Sequence, residues 1–367
     1  MKILVFNNGY LTTVPSGGDR HLLDVGAGLA QEQEVTFILP DFVADLPVAK
    51  VRRKTYRSWP PQSVLGIMLA YFLRGWHAWR LARREAAEVV LSSAGPFDVL
   101  PALAHRRRFR SCMAVYVFHL TPSRRAQHWR QQLQFTISRV AQWATLRFIR
   151  RADVVFTDNH LVKAALIKRG FNPDRIHVQR PVVNIEQVRQ AVPCRRFQVM
   201  FIGRMVRSKG IYDLVEALRS VPVTAGLVGA GEERLPLQHQ VEAYGLTDRV
   251  QLLGPLPSAE MYALLKGCEV FVFPSHEEGY GIAVAEAIAA GKPVVACDLP
   301  HYREVFADSL ITFPVGDVNA LTKRLTDFFS GRMDVARHLQ QYKYVQLADK
   351  ETAAAWELDV ICRHLKG

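Results

Sequence analysis

Two glutamates eight positions apart, Glu278 and Glu286, share a stretch with glycines at 279, 281 and 291. Carboxylates accept hydrogen bonds from sugar hydroxyls, and glycines let the backbone come close to a ligand. If a helix begins near Gly279, this separation is about two turns and both carboxylates face one side. The amides of Gly281, Ile282 and Ala283 then point out of a helix N-terminus, a natural anion site. Carboxylates for hydroxyls beside amides for phosphate suit a nucleotide sugar. Taken alone, such a pair reads more simply as a helix cap at Glu278 and a solvated charge at Glu286. A second group bears on the choice. Arg204 and Lys209 flank the glycine-containing loop that follows Ile202. Two cations there would neutralise a diphosphate and its departing charge, although alone they read as solvated loop charges.

The elements that must hold these groups are legible in the same stretch. Residues 270–273 are apolar and β-prone, and Pro274 with Ser275 ends that strand. Residues 276–281 form a loop, 282–290 an Ala-rich helix stopped by Gly291, and 293–296 the next strand. This is a βαβ unit, so the loop lies at the carboxyl end of a parallel strand, where open α/β sheets take their ligands.

The string Glu278, Gly279-Tyr280-Gly281, Glu286 and Gly291-Lys292-Pro293-Val294-Val295 resembles the donor-site motif of retaining glycosyltransferases of the GT-B fold, most closely glycosyltransferase family 4 (glycosyl transferases group 1). Gly203-Arg204, a spacer and Lys209-Gly210 extend the resemblance. It implies an α/β protein of two Rossmann-like domains facing a central cleft. Residues 1–190 would bind the acceptor, 197–349 the nucleotide sugar, and a C-terminal helix in 350–367 would cross back to the first domain. The implied activity is hexosyl transfer from a nucleotide-diphosphate sugar with retention of configuration, by same-face attack with the leaving phosphate as base. Glu286 would accept the ribose hydroxyls and Glu278 those of the transferred sugar. Arg204, Lys209 and the amides of Gly281, Ile282 and Ala283 would hold the diphosphate. Gly254 would lie near the base, and Gly17 and Gly18 would face the diphosphate from the first domain. His119, just past a strand end, would donate to a sugar hydroxyl or orient the acceptor. Arg180-Pro181 departs from the family's Asn-Gly turn, so no role carries over there. With no Asp-x-Asp pair, neither a metal nor another cofactor is expected. The alternative is a sugar-nucleotide epimerase on the same fold, which needs acids and bases around the sugar and no acceptor groove.

A chain of 367 residues suits two domains of ~150 residues each. Five scattered cysteines, without metal-ligand spacing, point to a reduced cytoplasmic setting. The N-terminal apolar run is too short for a signal peptide and reads as a first strand. Charge is uneven: residues 51–151 hold nineteen Lys and Arg against three acidic residues, a local excess of +16 in a chain of net charge +13. Within that region 62–89 and 127–151 read as long helices. The longest uncharged run, 58–73, is shorter than the ~20 residues of a membrane span. On the second helix, Trp129, Leu133, Ile137, Val140, Ala144 and Phe148 form an apolar arc that reads as core. Phe135, Arg139, Trp143, Leu146 and Arg150 form another, which suits either an anionic membrane surface or a solvated basic face. A peripheral position at the inner face of the cell membrane, with a glycan or lipid-linked acceptor, is therefore expected. Nucleic acid is not, because no helix-turn-helix, RNA-recognition or zinc signature accompanies the charge. Ser258 is expected to cap the helix that follows it, and Asn159 the helix from 160.

Overall fold

The computed structural model describes residues 1–8, 17–43, 51–59, 64–118, 120, 129–180 and 182–365. The chain divides into two compact units, Met1–Val182 with Lys350–Gly367, and Val183–Asp349.

The first unit runs β1 (Lys2–Phe6), α1 (Gly17–Leu29), β2 (Glu34–Pro40), β3 (Arg52–Tyr56), α2 (Val64–Ala82), β4 (Val89–Ser93), α3 (Pro96–Phe109), β5 (Cys112–Val117), α4 (Trp129–Ile149), β6 (Val154–Thr157), α5 (His160–Ile167) and β7 (Ile176–Val178). Its seven strands are all parallel, in the order β3-β2-β1-β4-β5-β6-β7. Strands such as β5 and β6 are almost wholly apolar and buried along their whole length, as parallel strands covered on both faces must be. The connections through α2, α3, α4 and α5 all step one way along the sheet, and the one through α1 steps the other. Right-handed crossovers then put α2–α5 on one face and α1 on the opposite face. Side chains from α2, α3, α4 and α5 accordingly share one core with the strands.

The second unit runs α6 (Ile185–Gln190), β8 (Val199–Ile202), α7 (Ile211–Ser220), β9 (Ala225–Val228), α8 (Arg234–Ala243), β10 (Val250–Gly254), α9 (Ser258–Gly267), β11 (Val270–Phe273), α10 (Ile282–Ala289), β12 (Val294–Cys297), α11 (Pro300–Phe306), β13 (Ile311–Phe313), α12 (Val318–Phe329) and α13 (Val335–Gln340). Its six parallel strands lie in the order β10-β9-β8-β11-β12-β13. Both halves are thus Rossmann-like, as expected.

The last helix, α14 (Lys350–Leu365), belongs to the first unit and packs on α1. Gly28 makes room for it: a Cβ there would stand 2.5 Å from the carbonyl oxygen of Lys350. Glu357 of α14 is fully buried, 3.0 Å from His21 Nε2, and accepts the Tyr116 hydroxyl. A buried carboxylate is tolerated only where such partners meet it.

Several expectations shift. The helix expected over 62–89 is α2 and stops at Ala82. Helix α3 was not legible: Pro101 sits inside it and an arginine run closes it, so its pattern carries little amphipathic signal. Asn159 caps α5 as expected, accepting from Val162 N at 2.9 Å. Ser258 does not cap α9. Pro257 holds the cap position with φ −57°, so Ser258 is drawn in as the first helical residue and makes no capping bond. On α4 the two arcs exchange members: Leu146 is buried and leaves the exposed arc, while Val140, expected in the core, is 60% exposed.

Candidate functional site

In the second unit, the chain leaves β8 toward β9 on one side and leaves β11 toward β12 on the other, while β8 and β11 are hydrogen-bonded neighbours. Loops that diverge this way open a crevice beyond the strand ends, where ligands of open α/β sheets bind. Arg204 and Lys209 stand on the first of these loops. Glu278 and Gly281 stand on the second.

The two loops are stitched together. Lys209 Nζ donates to Glu278 Oε1, and their side chains are only 12% and 14% exposed. The Ser275 hydroxyl lies 3.3 Å from Glu278 Oε1 and 2.9 Å from the Glu277 carbonyl. The amide of His276 donates to the Ser208 carbonyl at 2.8 Å, and its Nε2 lies 2.6 Å from Asp213 Oδ2. Lys209 also stands 5.7 Å from the centre of the Phe273 ring. Glu278 is therefore not a helix cap but the acidic half of a largely buried ion pair.

Glu286 is not a solvated charge either. It is 4% exposed, inside α10, and accepts the Tyr262 hydroxyl at 2.7 Å. Arg204 is the exposed member of the group and makes no ion pair or side-chain hydrogen bond among the described residues. Gly281 occupies the N-cap of α10 with φ +95°, and no side chain among the described residues caps that end. The first amides of α10, those of Ile282 and Ala283 included, thus open on the second loop. Gly254 ends β10 with φ +73°, and its carbonyl accepts Gly229 N at 2.9 Å.

Two neighbours escaped the sequence reading. Tyr262 lies on α9, too far along the chain to be linked to Glu286 by spacing. Tyr302, on α11, is 1% exposed, and its hydroxyl has no hydrogen-bond partner among the described residues. A Cβ on Gly281 would stand 2.9 Å from that hydroxyl, so glycine is required there twice over, by conformation and by space. Burial, with the Glu278 charge adding, pushes the Tyr302 phenol well above its ordinary range. Burial also lowers the adjacent His301 to about 4, so that imidazole is neutral near pH 7.

In the first unit the corresponding crevice lies between β1 and β4. Gly17 and Gly18 form the start of α1 after β1. A Cβ on Gly18 would meet the Phe118 ring at 2.5 Å. A buried polar cluster lies at the ends of these strands. Asp98 accepts from Asn8 N at 3.1 Å and from the Ser93 hydroxyl at 2.6 Å, while Tyr56 donates to Asn8 Oδ1 at 2.6 Å. Burial raises the Asp98 carboxyl to about 6. No motif in the sequence marks this cluster. His119, residues 9–16, and the side chains of Trp129, Leu133, Phe135 and Ile137 lie outside the described residues.

Residues 15–187 match the family model Glycosyltransferase Family 4, and residues 184–346 match Glycosyl transferases group 1. The phosphatidyl-myo-inositol mannosyltransferase of Mycobacterium leprae is 35% identical over 148 residues, 38% of each chain. The lipopolysaccharide core biosynthesis glycosyltransferase LpsD of Rhizobium meliloti is 35% identical over 118 residues, 32% of this chain and 34% of its own. The chain spans about half the length, or less, of the curated relatives it matches. Among solved structures, Anabaena HepE in complex with UDP matches with a TM-score of 0.73 at 18% identity, over 99% of this chain and 100% of that one. Two adjoining family models span residues 15–346 and the two parallel-sheet halves have the fold of a solved structure, so the chain belongs to glycosyltransferase family 4, the group 1 glycosyltransferases of the GT-B fold.

Proposed function

We propose that this chain is a retaining glycosyltransferase that moves a hexosyl group from a nucleotide-diphosphate sugar to a glycan or lipid-linked acceptor in cell-envelope synthesis. The observation that carries the reading is the Lys209–Glu278 pair, set where the β8 and β11 loops diverge and next to the uncapped start of α10. In the free protein these two side chains satisfy one another. A donor would divide them: its diphosphate takes up Lys209, Arg204 and the amides at Gly281, Ile282 and Ala283, while a hydroxyl of its sugar donates to Glu278. Glu286, held by Tyr262, accepts the ribose hydroxyls.

Transfer breaks the bond from the anomeric carbon to the phosphate oxygen and forms one to the acceptor oxygen. The acceptor proton passes to the leaving phosphate. Lys209, Arg204 and the helix amides stabilise the charge that develops there, so the reading routes no step through a metal or other cofactor. The acceptor belongs to the first unit, where His119 donates to a sugar hydroxyl or orients the acceptor, while Gly17 and Gly18 at the start of α1 face the donor diphosphate. Relatives named for lipopolysaccharide core synthesis and for mannosyl transfer to phosphatidyl-inositol support an envelope acceptor.

Incubation with labelled nucleotide sugars and an envelope lipid extract tests this. Label in a lipid or glycan product with the donor's anomeric configuration is the expected result. Free epimerised donor would instead mark a sugar-nucleotide epimerase, and no turnover of any donor would end both readings.

A further inference from the structure

Helices α2 and α4 carry the same surface signature. Each reads Trp, three residues, Arg, two residues, Arg-Arg: Trp76 and Arg80 on α2 with Arg83 and Arg84 in the turn that closes it, and Trp143 and Arg147 on α4 with Arg150 and Arg151 in the turn that closes it. Offsets of four, seven and eight positions return to one side of a helix. All eight side chains are exposed, and the two indoles are 53% and 61% exposed. Leu69 and Phe72 continue the stripe toward the start of α2, and Val140 does so on α4; all three are more than half exposed. Helix α3 packs against both, on the same face of the sheet, and shows solvent Leu100 followed by Arg107 and Arg108. Three neighbouring helices therefore repeat one order, apolar side chains first and arginines at the C-terminal end.

We propose that the outward face of this α2–α3–α4 layer seats the chain on an anionic lipid bilayer. Arginines at helix C-termini also complement the helix dipole, which accounts for their position but not for the indoles beside them. None of the six motif arginines has a carboxylate partner among the described residues, whereas Lys54 and Arg106 in the same region pair with Glu85 and Asp153. Charge is thus left open on this face, beside large apolar side chains that water does not favour. At the end of α4, Trp143, Arg147, Phe148, Arg150 and Arg151 line a pocket of about 430 Å³, with Arg147 5.0 Å from the Trp143 ring centre. Guanidinium groups pair with phosphate oxygens, and indoles settle at the headgroup boundary. A nucleic acid would use the arginines but leave Leu69, Leu100 and Val140 without a role. No helix among the described residues is long and apolar enough to cross a membrane. The claim does not depend on sugar transfer and is tested without it.

The test is flotation of the whole chain with phosphatidylcholine vesicles, with and without phosphatidylglycerol, at low and high salt. Binding to the phosphatidylglycerol vesicles is expected to be roughly tenfold stronger or more, and to weaken with salt. The Trp76→Ala, Trp143→Ala double variant should bind roughly tenfold less at both salts, and so should Arg147→Glu, Arg151→Glu at low salt. Because these side chains are exposed, thermal melts should match the wild type. Equal binding to both vesicles, no binding at low salt, or wild-type binding by either double variant overturns the proposal. So does displacement from the vesicles by duplex DNA that the tryptophan variant binds as well as the wild type does.

Discussion

Lys209 and Glu278 lie 69 positions apart in the chain and meet as an ion pair across two neighbouring βα loops. That contact joins the cation expected to meet phosphate to the carboxylate expected to meet a sugar hydroxyl. Both are largely buried, so neither can be removed without leaving the other short of a partner.

Replacing Lys209 by Ala is therefore expected to lower donor turnover by roughly 10²-fold, the usual cost of removing one donor from a site of developing negative charge. Glu278→Gln, which keeps the size and most of the hydrogen bonding, should retain the fold and lose turnover as well. Steady-state kinetics with the preferred donor decides it. Wild-type turnover by Lys209→Ala would place the diphosphate elsewhere.

Tyr262 supplies a hydrogen bond to a carboxylate that is almost wholly buried. Tyr262→Phe should destabilise the second unit by about 2 kcal/mol, because a charged acceptor loses a donor without gaining water. Urea unfolding measures this. A change near zero would mean that Glu286 finds another donor at no cost.

Tyr302 gives the opposite sign. Its hydroxyl is buried and has no partner among the described residues, so the folded state already bears the cost of desolvating it. Tyr302→Phe keeps the ring packed against Phe306 and should stabilise the ligand-free protein by about 1 kcal/mol. A clear loss of stability in the same unfolding experiment would show that the hydroxyl has a partner.

A pH dependence follows from His21. Burial alone would lower its pKa, but the hydrogen bond and charge of Glu357, with the charges of Asp158 and Asp24, together outweigh that and hold it above its ordinary 6.5. A raised folded-state value contributes stability that is fully present below 6.5 and is lost as pH rises through the raised value. Hydrogen-exchange protection of the α14 amides should accordingly fall over that window in the wild type. In Glu357→Gln the fall should be smaller. An identical fall in both would remove the pair as its cause.

How much of this the sequence discloses depends on how local each signal is. The β11–α10–β12 unit is legible from one stretch, because strand, glycine loop, Ala-rich helix and stop follow each other within thirty residues. The cation loop after β8 is legible for the same reason. Contacts that cross the chain are not. Tyr262 beneath Glu286, the Asn8–Asp98 cluster and Glu357 under His21 join residues 24, 90 and 336 positions apart, and no periodicity marks them. Helix α3 stays hidden because Pro101 and three consecutive arginines mask its pattern. Ser258 misleads because a proline before a serine takes over the cap.

The most direct measurement is calorimetric titration of the chain with uridine, guanosine and adenosine diphosphate sugars, in the wild type, Lys209→Ala and Glu286→Ala. One nucleotide should bind the wild type, and both substitutions should weaken that binding by roughly tenfold or more, each through loss of a charge-assisted contact. Binding that survives both substitutions unchanged, or no binding of any of the three, would contradict a donor site built on these loops.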